Sequence, residues 1–154
     1  MKLMWKFNIV LLAVFAIGFA VTAFISYGVL QANAREEILD NARVMMESAL
    51  SSRSYTNTQI KPLLDTQLKY TFLPQTVPAY AATEVFNDLR KKHPDYGYKE
   101  ATLNPTNPRD RASDWEADVV NNFRQTSDSK EMVGERETPT GRALYLARPI
   151  QITN

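Results

Sequence analysis

The chain has 154 residues, 18 basic against 17 acidic side chains and no cysteine, so one modest globular domain is its limit once a membrane segment is set aside. With Lys2 and Lys6 ahead of that segment discounted, 16 basic residues face 17 acidic ones, which gives nucleic-acid binding no electrostatic footing. The lack of cysteine removes a disulfide framework, a thiolate nucleophile and covalent haem attachment by these residues, and the lone His93 removes most histidine-based catalysis.

From Ile9 to Leu30 the chain reads IVLLAVFAIGFAVTAFISYGVL, 22 residues without a charge, where about 20 are needed to cross the hydrocarbon core of a bilayer. Lys2 and Lys6 precede the run, and Arg35, Glu36 and Glu37 follow it. Positive charge is retained inside, so residues 1–8 are expected in the cytoplasm, 9–30 in a bacterial inner membrane and 31–154 in the periplasm. Trp5 and Tyr27 suit the two interfaces. Ala32-Asn33-Ala34 has the small-x-small form of a cleavage site, but signal cores usually run about 7–15 residues, which favours an uncleaved anchor.

Beyond the membrane, Leu39, Ala42, Met46, Ala49 and Arg53 recur at spacings of three and four, predicting a helix from Arg35 to about Leu64 that continues out of the bilayer and breaks near Pro62. Leu63 to Tyr80, with Pro74 and Pro78, reads as irregular. Thr83 to Lys92 is expected as a helix with Val85, Phe86 and Leu89 inward, ended by His93-Pro94. Tyr96 to Leu103 reads as a strand and Asn104-Pro105-Thr106-Asn107-Pro108 as a turn. Ser113 and Glu116 form a capping box ahead of a helix with Trp115, Val119, Val120 and Phe123 on one face. A hairpin closes the chain, with strands at about Glu131 to Glu137 and Arg142 to Ile152 around Thr138-Pro139-Thr140-Gly141. The sum is an α+β domain with a small antiparallel sheet.

Several segments carry a family resemblance: Val77-Pro78-Ala79-Tyr80-Ala81-Ala82, the run from Lys99 to Arg109 reading KEATLNPTNPR, Glu116, Phe123 and Gly134-Glu135-Arg136. From about Arg35 to Ile152 the chain resembles the PAS-like c-type haem-binding domain family, once catalogued as a domain of unknown function and found in a cyanobacterial haem protein. That resemblance implies a PAS-like fold, haem c as cofactor and, in many members, a role as the input domain of membrane sensor kinases, chemoreceptors or cyclases. It also implies a Cys-x-x-Cys-His attachment motif shortly after the segment matching Ala147 to Ile152. No such motif occurs before Asn154, which leaves two expectations: a fragment of a longer haem sensor, or a branch that has lost the haem.

The same resemblance makes Met46, then Met45, the candidates for a sulphur ligand to haem iron, a role open to a thioether; packing is the ordinary use of methionine on such a stripe. Arg53 and Tyr55 are candidates to face a propionate or small ligand, and Asn104, Pro105 and Asn107 to form a pocket wall beside the first long helix. His93 reads as a surface residue and Glu116 as a cap rather than an acid catalyst. The functional expectation is a membrane-anchored sensory domain, dimeric through its N-terminal helices, binding haem or a small ligand and without enzymatic activity of its own. The alternatives are an anchored cytochrome-like electron carrier and a haem-free small-molecule sensor.

Overall fold

A computed structural model describes residues 2–126, 128–139 and 141–150, and these fall into two compact units, residues 1–41 and 42–154. Helix α1 runs from Lys2 to Tyr55. Its first part is apolar on every side, with a mean hydropathy of 2.6 over the most apolar window and no residue of that window buried. A helix apolar all round wants an apolar surrounding rather than one packed face, and α1 is long and apolar enough to cross a membrane. Ala32, Asn33 and Ala34 lie within it.

In the second unit, α1 presents the stripe that its sequence spacing predicts: Ala49 is buried, while Ala42, Met46 and Arg53 are half-buried. The helix does not break at Pro62. It widens into a π-helical turn at Thr56–Ile60, in which the Lys61 N–H donates to the Thr56 carbonyl five residues back, and resumes as α2 at Lys61–Leu68. Proline lacks an N–H and its ring clashes with the carbonyl four residues earlier. The wide turn displaces that carbonyl and leaves Pro62 in the first turn of α2, where no donor is required.

The stretch expected to be irregular therefore contains α2, a 3-10 turn at Pro74–Thr76 and the beginning of α3 at Pro78–Arg90. Helix α3 starts five residues before the expected Thr83, because a proline at the first helical position supplies a ready φ and loses no bond. Its inner face is Ala82 and Phe86; Val85 and Leu89, expected inward with Phe86, are exposed. Thr56 of the π turn and Thr76 of the 3-10 turn are buried, their hydroxyls donating to the carbonyls of Ser52 and Leu73 at 2.8 and 2.7 Å.

Tyr96 to Leu103, expected as a strand, is not one. Its ladder is a single parallel bridge, Thr102 to Arg111, closed by Thr102 N–H to the Asp110 carbonyl and Ala112 N–H to the Thr102 carbonyl, both 2.9 Å. The segment between is an Ω-like loop with its ends pinned together. Helix α4 spans Asp114–Gln125 behind its capping box. Strands β1 (Met132–Thr138) and β2 (Gly141–Ala147) pair antiparallel from Met132 with Ala147 to Thr138 with Gly141. Strand β2 stops short of the expected Ile152: Arg148 turns to ion pairs and Pro149 has no N–H for a ladder. Residues 151–152 of that expectation lie outside the described residues, as does Thr140 of the turn.

Within the hairpin, Gly134 faces Tyr145 across the ladder, and a β-carbon there would come within 2.5 Å of the tyrosine ring. The ring also packs on Trp115 of α4, with centroids 5.3 Å apart, and Arg136 lies 4.2 Å over the indole. Glycine is what lets the sheet and α4 meet. Gly134→Ala should displace the Tyr145 ring and cost about 1–3 kcal/mol of stability, read as a lower midpoint in denaturant together with a changed Trp115 fluorescence relative to Trp5.

Candidate functional site

Two polar constellations tie the second unit together, and both use α1. In the first, Tyr98 and Glu100 meet α3 and α1, while Lys99 between them meets α4. Glu100 accepts a hydrogen bond from the Tyr98 hydroxyl at 2.9 Å and forms an ion pair with Arg53 of α1. The Tyr98 ring stacks on Phe86 of α3, with centroids 4.7 Å apart. Burial, followed by the Glu100 charge, pushes the Tyr98 hydroxyl well above its ordinary value, so it stays protonated and donating. Lys99 reaches Glu116 at 2.6 Å and the Arg111 carbonyl at 2.7 Å.

The second constellation sits at the open end of the hairpin. Glu131 lies just before β1 and Arg148 just after β2, and they pair at 2.8 Å. Glu131 also accepts from Arg43 at 3.2 Å, and Arg148 forms a further ion pair with Glu47. Arg43 and Glu47 are four apart on one face of α1. Charges therefore alternate along a row of four, Arg43, Glu131, Arg148 and Glu47, whose two ends lie on one face of α1. Desolvation works to raise the Glu131 carboxyl, but hydrogen bonds from Arg148 and Arg43 prevail and hold it below the ordinary 4.5.

Glu116 behaves similarly. Burial raises its pKa, while Lys99 and the N–H and hydroxyl of Ser113, both at 2.8 Å, outweigh burial and lower it. Its carboxylate is thus engaged both as the cap of α4 and as the partner of Lys99.

The residues singled out from sequence have distinct positions. Met45 and Met46 are half-buried on α1. Arg53 is engaged by Glu100, and Tyr55, at the end of α1, is exposed. Asn104 and Asn107 are exposed and Pro105 half-buried. Asn107 shapes its own loop, accepting from the Arg109 N–H at 3.2 Å. Arg109 then ties the loop to α3, pairing with Glu84 at 2.8 Å and lying 4.9 Å over the Tyr80 ring. The hollow beyond α2 is lined by Gln67, Tyr70, Thr71 and Leu73. His93 is exposed, with its ring edge toward Tyr96. Sequence reasoning missed Glu100, Arg43, Glu47, Glu131 and Arg148. The four-residue spacing of Arg43 and Glu47 was a visible signal, but their partners are distant in sequence.

The segments that carry the family resemblance thus meet in pairs: Tyr80 with Arg109, Lys99 with Glu116, and Gly134 and Arg136 with the Trp115–Tyr145 cluster. This is an α+β domain whose first helix also carries an apolar span. The Tll0287-like family description matches residues 31–154, and the chain belongs to that family. No curated protein and no solved structure gives a significant match.

Because Glu131 and Glu116 titrate below their unfolded value, the stability they confer is complete above the ordinary glutamate pKa of 4.5 and is lost as pH falls through the depressed folded values. A plot of unfolding midpoint against pH should therefore fall on the acid side. In Glu131→Gln the midpoint should be lower at neutral pH and the acid slope shallower; an unchanged slope would remove Glu131 as a contributor.

Proposed function

We propose that the chain is a membrane-anchored sensory domain, held in the bacterial inner membrane by the apolar part of α1 with residues 31–154 in the periplasm. The observation that carries this reading is the continuity of α1. The helix that contains the apolar run also contains Arg43, Glu47 and Arg53, whose partners lie in the hairpin base and the Tyr96–Leu103 segment. A change in either place acts on the anchoring helix directly. The chain works by binding and relaying rather than by catalysis, as a dimer through its N-terminal helices.

For the sensed group, the family resemblance supports haem c. Within this chain, Met46 and then Met45 supply a thioether suited to an axial position, with Arg53, Tyr55, Asn104, Pro105 and Asn107 as the polar and loop groups around it. A sequence without cysteine cannot attach haem covalently, so binding by these residues alone is non-covalent. The alternative reading is a haem-free sensor of some other small molecule.

Expressed from Met1, the protein should sediment with inner membranes, resist alkaline extraction and give an active alkaline phosphatase when that reporter follows Asn154. A soluble product beginning at Arg35, or an inactive reporter, would refute the anchored topology. Titration of the detergent-solubilised full chain with haem should give a saturable Soret band that Met46→Ala shifts. Absence of saturation in the parent chain would shift the reading to the haem-free sensor.

A further inference from the structure

We infer that the π turn at Thr56–Ile60 is a register hinge, locked on one side by Pro62 and on the other by the Arg53–Glu100 ion pair, across which the last turn of α1, residues 53–55, can slip by one residue relative to α2. The inference concerns the helix itself and does not depend on what the domain senses.

A π turn is an α-helix with one residue too many, accommodated by replacing bonds to the fourth carbonyl back with bonds to the fifth. Here the Lys61 N–H bonds to Thr56 rather than Asn57. The local sequence makes departure from the α register cheap. Thr56, Asn57 and Thr58 are weak helix formers, and the hydroxyls of Thr56 and Thr58 donate back to the carbonyls of Ser52 and Ser54, both at 2.8 Å, an arrangement that tends to bend helices.

Pro62 fixes where the extra residue resides. Were the segment purely α-helical, the Pro62 ring would meet the Thr58 carbonyl and leave it without a donor; the π turn avoids that clash. On the other side, Arg53 meets Glu100 only in the present register. Moving the extra residue to a point before Arg53 would turn that side chain by about 100° and shift it by about 1.5 Å, taking it away from Glu100. The two registers therefore differ in a proline clash and an ion pair, both confined to one helical joint. That joint is packed against α3 and the Pro74–Thr76 turn, with Thr56, its first residue, buried.

The test uses the native lack of cysteine. Ser54→Cys in the last turn of α1 and Asp65→Cys on α2, both at exposed positions, provide the only attachment points for spin labels on the detergent-solubilised full chain, and the extra residue lies between them only in the present register. The labelled parent should show a single narrow distance distribution. Glu100→Gln and Pro62→Ala, each removing one lock, should add a second distance, and the two together should make it the major one. Arg53→Lys, which keeps a cation for Glu100, should stay close to the parent. Each variant's helical circular dichroism must match the parent's. If Glu100→Gln, Pro62→Ala and the double variant, all folded by that criterion, keep the parent distribution, the joint is rigid and the hinge is refuted.

Discussion

A two-stranded hairpin is at best marginally stable by itself in water, and this domain's sheet has only β1 and β2 among the described residues. What holds it is the carboxylate of Glu131, placed between the guanidinium groups of Arg43 and Arg148. Because Glu131 precedes β1 and Arg148 follows β2, their pairing closes the open end of the hairpin. Because Arg43 and Glu47 lie one helical turn apart on α1, the closed end is fastened to that helix. A charge-assisted network of this kind rewards complete pairing and penalises any missing member, since a partly desolvated charge left alone is costly.

The apolar contribution is small and made by juxtaposition rather than by a thick core. Ala49, Ala82 and Phe86 are buried, and no large side chain among the described residues is fully enclosed. Phe86 gains from stacking on Tyr98, and Trp115 from Tyr145 and Arg136, contacts worth about 0.5–1.5 kcal/mol each beyond the area they cover. Each aromatic contact is positioned by a polar one: Tyr98 by Glu100, and the α4 end of the other by the Ser113–Glu116 cap and Lys99. Packing and ion pairing are therefore coupled across the same few elements. The side chains that α1 contributes, Arg43, Glu47 and Arg53, are spread over the turns just before its π segment.

Sequence reading placed local structure correctly where the chemistry is local. The Ser113–Glu116 box, the shaped Asn107 loop and the inward stripe of Met46 and Ala49 all follow from residues within four positions of one another. The roles of Glu100 and Glu131 were not legible. Their partners are 47 and 88 positions away, and nothing in an exposed-looking glutamate announces which distant arginine it will meet. The same limit explains Tyr96 to Leu103: extended propensity is local, but a strand needs a neighbour that only the fold provides.

By itself, the sequence determined the uncharged run, the α+β class, the capping box and the hairpin, because each rests on period, charge or turn chemistry within a short window. Tertiary structure decided that Pro62 widens α1 instead of ending it, and that α3 begins at Pro78. It also decided that β2 yields to Arg148 and that Arg109 fastens its loop to Tyr80 and Glu84 of α3. A proline states only which bond is missing, and an arginine only that it carries charge. Whether the missing bond breaks a helix, and which carboxylate the charge finds, depends on what the rest of the chain packs alongside them.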